Sequence, residues 1–285
     1  MVQRMRVDFA ATASDYAHHR AGFPDSFFAR LAAMGIGRDG QTVVDLGTGT
    51  GDVARGFAAR GGRVIGIDRA RELLERARLL DETAGVRVDY RVALAEATGL
   101  PSGCADVVTA GQCWQWFDRP AAMREATRLL RRDGRLVLAH FDWIPLAGNV
   151  VEATERIIKS YNWLWRLDGG NGMHPRWLRE LAEAGYRDLE SFSYDVEVPY
   201  TPEAWRGRVR ASSGVAASVS PRRVHVIDRA LARLLAEEFP ASTLVVPHRV
   251  FAVVARRPRS VVLAVARPRW QWARRWAAAV QVWIP

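Results

Sequence analysis

The stretch from Val43 to Asp68, VVDLGTGTGDVARGFAARGGRVIGID, limits what the chain can fold into more than any other. Thr42 to Leu46 is a short apolar run around Asp45 bounded by a turn signal, as expected of a buried parallel strand. Gly47, Gly49 and Gly51 follow at every second position, and without a Cβ they permit positive φ and let a ligand lie against bare backbone. Asp52 stands where a helix N-cap belongs, Val53 to Arg60 supplies the helix, and Val64 to Ile67 is the next strand. Asp68 ends that strand, at the sheet edge where open α/β folds bind ligands.

Glycine spacing separates the cofactor classes that use such a turn. A dinucleotide fingerprint needs G-x-G-x-x-G, yet the third position counted from Gly47 and Gly49 is Asp52, a carboxylate expected to repel a pyrophosphate at the helix N-terminus. No Gly-Lys-Ser/Thr follows, which excludes a Walker loop. A nucleoside ligand with a ribose diol and no phosphate remains, and Asp68 is placed to accept from both hydroxyls.

Asp45-x-Gly47-x-Gly49-x-Gly51 with Asp68 after the following strand resembles the cofactor half of class I S-adenosylmethionine-dependent methyltransferases. The resemblance continues through AEATGLP (95–101), ADVVTAGQCWQWFD (105–118) and LLRRDGRLVLAHF (129–141), and covers roughly residues 8 to 257. Phe9-Ala10-Ala11, Tyr16 and Arg20 make it similar, more narrowly, to the small-molecule branch that includes trans-aconitate methyltransferases. It implies S-adenosyl-L-methionine as cofactor, with Asp45, Gly47, Gly49, Gly51, Asp68, Ala95, Glu96 and Gln112 around it. Ala95 and Glu96 would meet the adenine edge, although many relatives carry the acid two residues earlier, where this chain has Leu94. It also implies that the segment holding Tyr16 and Arg20 folds over the pocket, which makes both candidates for substrate contact.

The βαβ repetition through residue 140 predicts an α/β, Rossmann-like doubly wound sheet, and the family adds that it is seven-stranded and mostly parallel. The sixth and seventh strands, from Tyr186 to Val198 and Leu244 to Ala255, would form its antiparallel edge. Residues 1–41 read as an N-terminal helical cap in which Asp25 caps a helix from Ser26 to Met34. Residues 42–257 read as the methyltransferase domain with a helical lid insertion at about 142–176, and 258–285 as a basic Trp/Arg-rich tail.

Composition narrows the partners. Residues 256–285 hold seven arginines and no acid, and without them the net charge falls from +10 to +3, so nothing points to nucleic acid. Two cysteines, Cys104 and Cys113, suggest neither a disulfide framework nor a metal site. No run of about 18 apolar residues marks a leader or a membrane span, so a cytoplasmic location is expected.

The acceptor site is expected at the strand ends and the lid. Trp114 and Trp116, after the fourth strand, and Trp143, in the lid, would shield a sulfonium and stack on a flat substrate. His140 ends the fifth strand and His174 precedes the helix Trp177 to Ala184; both are candidate general bases, because an unperturbed imidazole titrates near neutrality. Arg206, on a helix beginning at Pro202 with Arg208 and Arg210, would hold a substrate carboxylate. These residues together point to O-methylation of a carboxylate or hydroxyl on a small metabolite. N- or C-methylation, or cofactor binding without catalysis, stay open.

Overall fold

The computed structural model describes residues 19–165, 168–215 and 218–259. Helix α1 (Asp25–Ala33) precedes strand β1 (Thr42–Leu46), α2 (Asp52–Ala58), β2 (Arg63–Asp68), α3 (Arg71–Ala84) and β3 (Asp89–Val92). Next come β4 (Ala105–Gly111), a 3-10 turn (Trp114–Trp116), α4 (Arg119–Leu129) and β5 (Leu130–Trp143). Helices α5 (Val150–Tyr161) and α6 (Pro175–Glu183) lead to β6 (Arg187–Tyr200), α7 (Pro202–Arg210), α8 (Pro221–Glu238) and β7 (Leu244–Arg256).

One seven-stranded sheet has the order β3-β2-β1-β4-β5-β7-β6. Strands β1 to β5 pair in parallel, and β7 runs antiparallel to both β5 and β6. The antiparallel strand is thus second from the edge, and β6 forms the edge itself. Strand order reverses between β1 and β4, so the turns after Leu46 and Gly111 flank the crevice where such sheets take ligands.

Alternating burial along the strands builds a core on each face. Val44, Leu46, Val108, Ala110, Leu136 and Leu138 pack on one side with α4 and α6, while Val43, Val107, Val137 and Ala139 pack on the other with Phe27, Phe28 and Phe57 of α1 and α2. A third cluster joins Trp143, Ile158, Trp205, Val209, Ile227 and Leu231, so α5, α7 and α8 form a helical cap beyond the end of β5.

Three local expectations change. Asp25 opens α1 but does not cap it; Pro24 holds the cap position and Asp25 receives Arg60 instead. Gly51 at φ 80° takes the N-cap of α2, which leaves Asp52 inside the first turn. Strand β5 begins at Leu130, and although the sequence of Asp133-Gly134 is that of a turn, the pair is absorbed as an irregularity in the pairing with β4.

Candidate functional site

A cleft of about 1020 Å³ runs from the glycine turn to the helical cap. That is at the upper end of the range for one small ligand, so it has room for a cofactor and an acceptor together. Its near end is lined by Gly47, Gly49, Asp68, Leu73, Leu94, Ala95, Glu96, Gln112 and Phe117. Gly47 has φ 66°, and a Cβ there would come within 2.9 Å of the Cys113 sulfur, so a side chain is excluded by packing. Gly49 has φ 56°, and a Cβ there would meet nothing within 4 Å, so its bare backbone faces open space.

Asp68 is oriented by backbone: the amide of Gly49 donates to Oδ2 and that of Ala70 to Oδ1, each at 2.9 Å. A carboxylate offers about four lone-pair sites. Each oxygen therefore keeps capacity for one more donor. Glu96 accepts from the Asp118 amide at 2.8 Å through one oxygen, and its other oxygen remains for a ligand. Gln112 sits at φ 63°, and its side chain accepts from the Arg20 guanidinium across 92 residues of sequence. This contact brings Arg20 to the cleft wall. Tyr16 lies outside the described residues.

Some expected contacts fall elsewhere. Asp45 lies behind the turn, away from the main cleft, where it accepts from Thr109 Oγ1 at 2.6 Å. Burial pushes its carboxyl up to about 7, despite the Thr109 bond. Gly51 does not line the cleft either; a side chain there would strike the Tyr90 hydroxyl. Asp52, expected to face the ligand side of the helix N-terminus and repel any pyrophosphate, turns away and accepts from the Phe23 amide at 3.0 Å, tying the N-terminal segment to α2. Trp114 is a core residue, fully buried, with its indole nitrogen directed to Glu180 at 3.3 Å. Its neighbours Trp116 and Phe117 line the cleft in its place.

At the far end stand His140, Asp142, Trp143, Glu155, Trp165, His174, Trp177 and Arg208. His140 and Asp142 share one face of β5 because side chains alternate along a strand. The His140 and His174 rings lie 4.5 Å apart, and His174 stacks on Trp177 at 4.2 Å and 9°. Burial pushes the His140 imidazole down to about 4 against the pull of Asp142, and His174 also falls below the ordinary histidine value. Nδ1 of His140 is buried without a hydrogen-bond partner among the described residues. The expectation of a base poised near neutrality is therefore wrong for His140. Among the described residues no carboxylate hydrogen-bonds to the His140 ring.

Arg206 does not reach this cleft: it pairs with Glu203 and Asp228, and Arg210 joins the same two acids. Arg208 lies there instead, donating to Asp142 Oδ1 at 2.9 Å with its guanidinium 4.4 Å from the Trp143 ring. Burial opposes the charge on Asp142, but Arg208, His140 and Arg20 outweigh it and hold its carboxyl below the usual range. Glu155 was also missed; it accepts from Trp143 Nε1 at 2.9 Å and the Gly169 amide at 2.7 Å. Among the described residues, no three His, Cys, Asp or Glu side chains converge as a metal site.

A family model for a methyltransferase domain matches residues 44–138. A ubiquinone biosynthesis O-methyltransferase of Xanthomonas oryzae is 30% identical over 180 residues, 61% of this chain and 72% of that one. The chain belongs to the class I S-adenosylmethionine-dependent methyltransferases. Its cofactor is S-adenosyl-L-methionine, and the open backbone at Gly49 with the two half-used oxygens of Asp68 fits a nucleoside. The methyltransferase fold recurs in a protein of Anaeromyxobacter dehalogenans at a TM-score of 0.58, 22% identical, covering 84% of this chain and 97% of that one. It recurs again in Haemonchus contortus phosphoethanolamine N-methyltransferase 2 with S-adenosyl-L-methionine, at 0.51 and 18%, covering 88% and 56%. The match spans only 51% of a Dictyostelium discoideum relative and 60% of an uncharacterized Mycobacterium tuberculosis methyltransferase. No described helix of this methyltransferase is long and apolar enough to cross a membrane.

Proposed function

We propose that this methyltransferase methylates a carboxylate oxygen of a small metabolite, giving a methyl ester. One observation carries it: the far end of the cleft holds a buried guanidinium, Arg208, together with an imidazole, His140, whose basicity burial lowers. A carboxylate is already a nucleophile at neutral pH and needs no base, whereas a hydroxyl generally benefits from one. Arg20, at the cleft wall, adds a second cation suited to an anionic acceptor.

Bound S-adenosyl-L-methionine supplies a methyl group already activated on sulfur. Asp68 would hold the ribose hydroxyls, Glu96 and Ala95 the adenine edge, and Gly49 with Gln112 the remaining backbone approach. Rate enhancement then depends mainly on positioning. In this chain that task falls to Arg208, held by Asp142 and seated on Trp143, and to Arg20, held by Gln112. The stacked His174 and Trp177 wall the site.

A hydroxylated aromatic acceptor is the second reading, favoured by the tryptophans of the cleft and by a neutral His140. Steady-state kinetics divide the two. General-base catalysis is worth about 10²–10⁴ in rate. His140→Ala should keep kcat within about tenfold of wild type, while Arg208→Gln raises KM for the acceptor. A kcat loss beyond about 10² in His140→Ala, with KM unchanged in Arg208→Gln, assigns the hydroxyl instead.

A further inference from the structure

The helical cap carries arginines of two kinds. Those of α7 are spoken for: Arg206 and Arg210 by Asp228 and Glu203, and Arg208 by Asp142. On α8, Arg222, His225, Arg229 and Arg233 recur at intervals of three and four residues, on one exposed face. Arg223 stands beside the first of them. Among the described residues no carboxylate pairs with any of these arginines, and Asp228, the acid within that stretch of α8, is turned toward α7. The stripe is about 16 Å long at 1.5 Å per residue.

A second observation lies at its end. Trp163 and Leu164 follow α5 and are 70% and 51% exposed, which is unusual for large apolar side chains side by side. Asn162, just before them, donates from Nδ2 to Gly214 O and Ser218 Oγ, both at 2.9 Å. Ser218 stands two residues ahead of the N-cap of α8, so the exposed pair is pinned beside the end of the helix that bears Arg222 and Arg223. The same loops line the cleft on their inner side through Trp165, Ser212, Ser213 and Met173, and Met173 is itself exposed.

We infer that this face of the cap docks on an anionic lipid surface, with the mouth of the cleft beside the bilayer. An amphipathic indole favours the headgroup level, and a neighbouring leucine enters the acyl boundary. The arginines meet lipid charge and lay their aliphatic stems on the surface. Affinity for such a surface scales with the buried apolar area plus the electrostatic attraction, so the two features add. A polynucleotide would meet the arginines but would leave Trp163 and Leu164 without an apolar environment. The inference is independent of which acceptor is methylated.

Vesicle sedimentation of the full chain tests it. Binding is expected to vesicles of phosphatidylglycerol and phosphatidylcholine, to weaken with salt, and to be absent with phosphatidylcholine alone. Arg222→Glu/Arg229→Glu/Arg233→Glu should lower binding at least about tenfold, since each arginine near an anionic surface is worth about 1 kcal/mol. Trp163→Ser/Leu164→Ser should lower it as well; all five positions are exposed, so circular dichroism should show both variants folded. Undiminished vesicle binding in either variant, as the Trp/Arg-rich residues beyond 259 alone would give, overturns the inference. So does a failure of the wild-type chain to bind anionic vesicles, or RNA binding that depends on the arginines and ignores Trp163.

Discussion

Arg208 donates to Asp142 at 2.9 Å from the wall of the cleft, and the same guanidinium lies 4.4 Å from the face of Trp143. The pair links α7 to the end of β5, so the helical cap and the sheet meet through a charge contact that lies on the cleft wall. Hydrogen bonds to charged groups contribute about 1.5–3 kcal/mol. Arg208→Gln should lower stability by about that amount in a urea titration and should weaken acceptor binding. If stability falls while acceptor KM holds, Arg208 is a strut between cap and sheet and no more.

Asp68 carries a separate expectation. Asp68→Ala removes a charged acceptor from the near end of the cleft, together with the bonds that fix Gly49 and Ala70. Each lost bond to the charged group is worth about 1.5–3 kcal/mol, so the Kd for S-adenosyl-L-methionine should rise at least about tenfold. Calorimetry reads this directly, and an unchanged Kd removes Asp68 from the cofactor contacts.

The carboxyl of Asp45 is pushed up to about 7, mainly by burial, from 3.8. A raised acid binds more protons in the folded than in the unfolded state between those two values. Its contribution to stability is therefore full below about pH 4 and is lost as pH rises toward 7. Asp45→Asn keeps an acceptor for Thr109 and cannot ionise, so its stability relative to wild type should climb across that window. At one unit per 1.36 kcal/mol the ceiling is about 4 kcal/mol. A difference between the two proteins that stays flat from pH 4 to 7 contradicts the buried, protonated reading.

Trp114 separates packing from binding. It is fully buried with its nitrogen near Glu180, so Trp114→Ala should cost about 3–5 kcal/mol in stability. Trp116→Ala, at the cleft wall, should cost less and should act on KM. The reverse pattern in denaturation and kinetics would exchange their roles.

How much of this was legible depended on how local each signal is. The turn around Gly47 and Gly49, and Asp68 at the end of β2, follow from neighbours in sequence, and the parallel sheet follows from their repetition. Arg208 and not the expected Arg206 reaches the cleft because helix face decides between them. Trp205, Arg208 and Val209 share the buried side of α7, while Arg206 and Arg210 share the side facing Asp228. The three- and four-residue spacing from Trp205 would have chosen correctly. The fate of Asp52 could not be read, since its partner is a backbone amide 29 residues earlier. Nor could the basicity of His140, lowered first by burial, to which the His174 and Trp177 rings contribute, and then by the charges of His174, Arg20 and Arg208.

The proposed reaction is methyl transfer to a carboxylate inside one cleft. The measurement that tests it most directly is mass spectrometry of the products formed when the wild-type protein and methyl-labelled S-adenosyl-L-methionine are incubated with a mixture of small organic acids, phenols and amines. The expected result is label in a methyl ester that mild base hydrolyses, with S-adenosylhomocysteine formed in equal amount. Label in a base-stable ether or an N-methyl group, or cofactor bound with no labelled product, would contradict it.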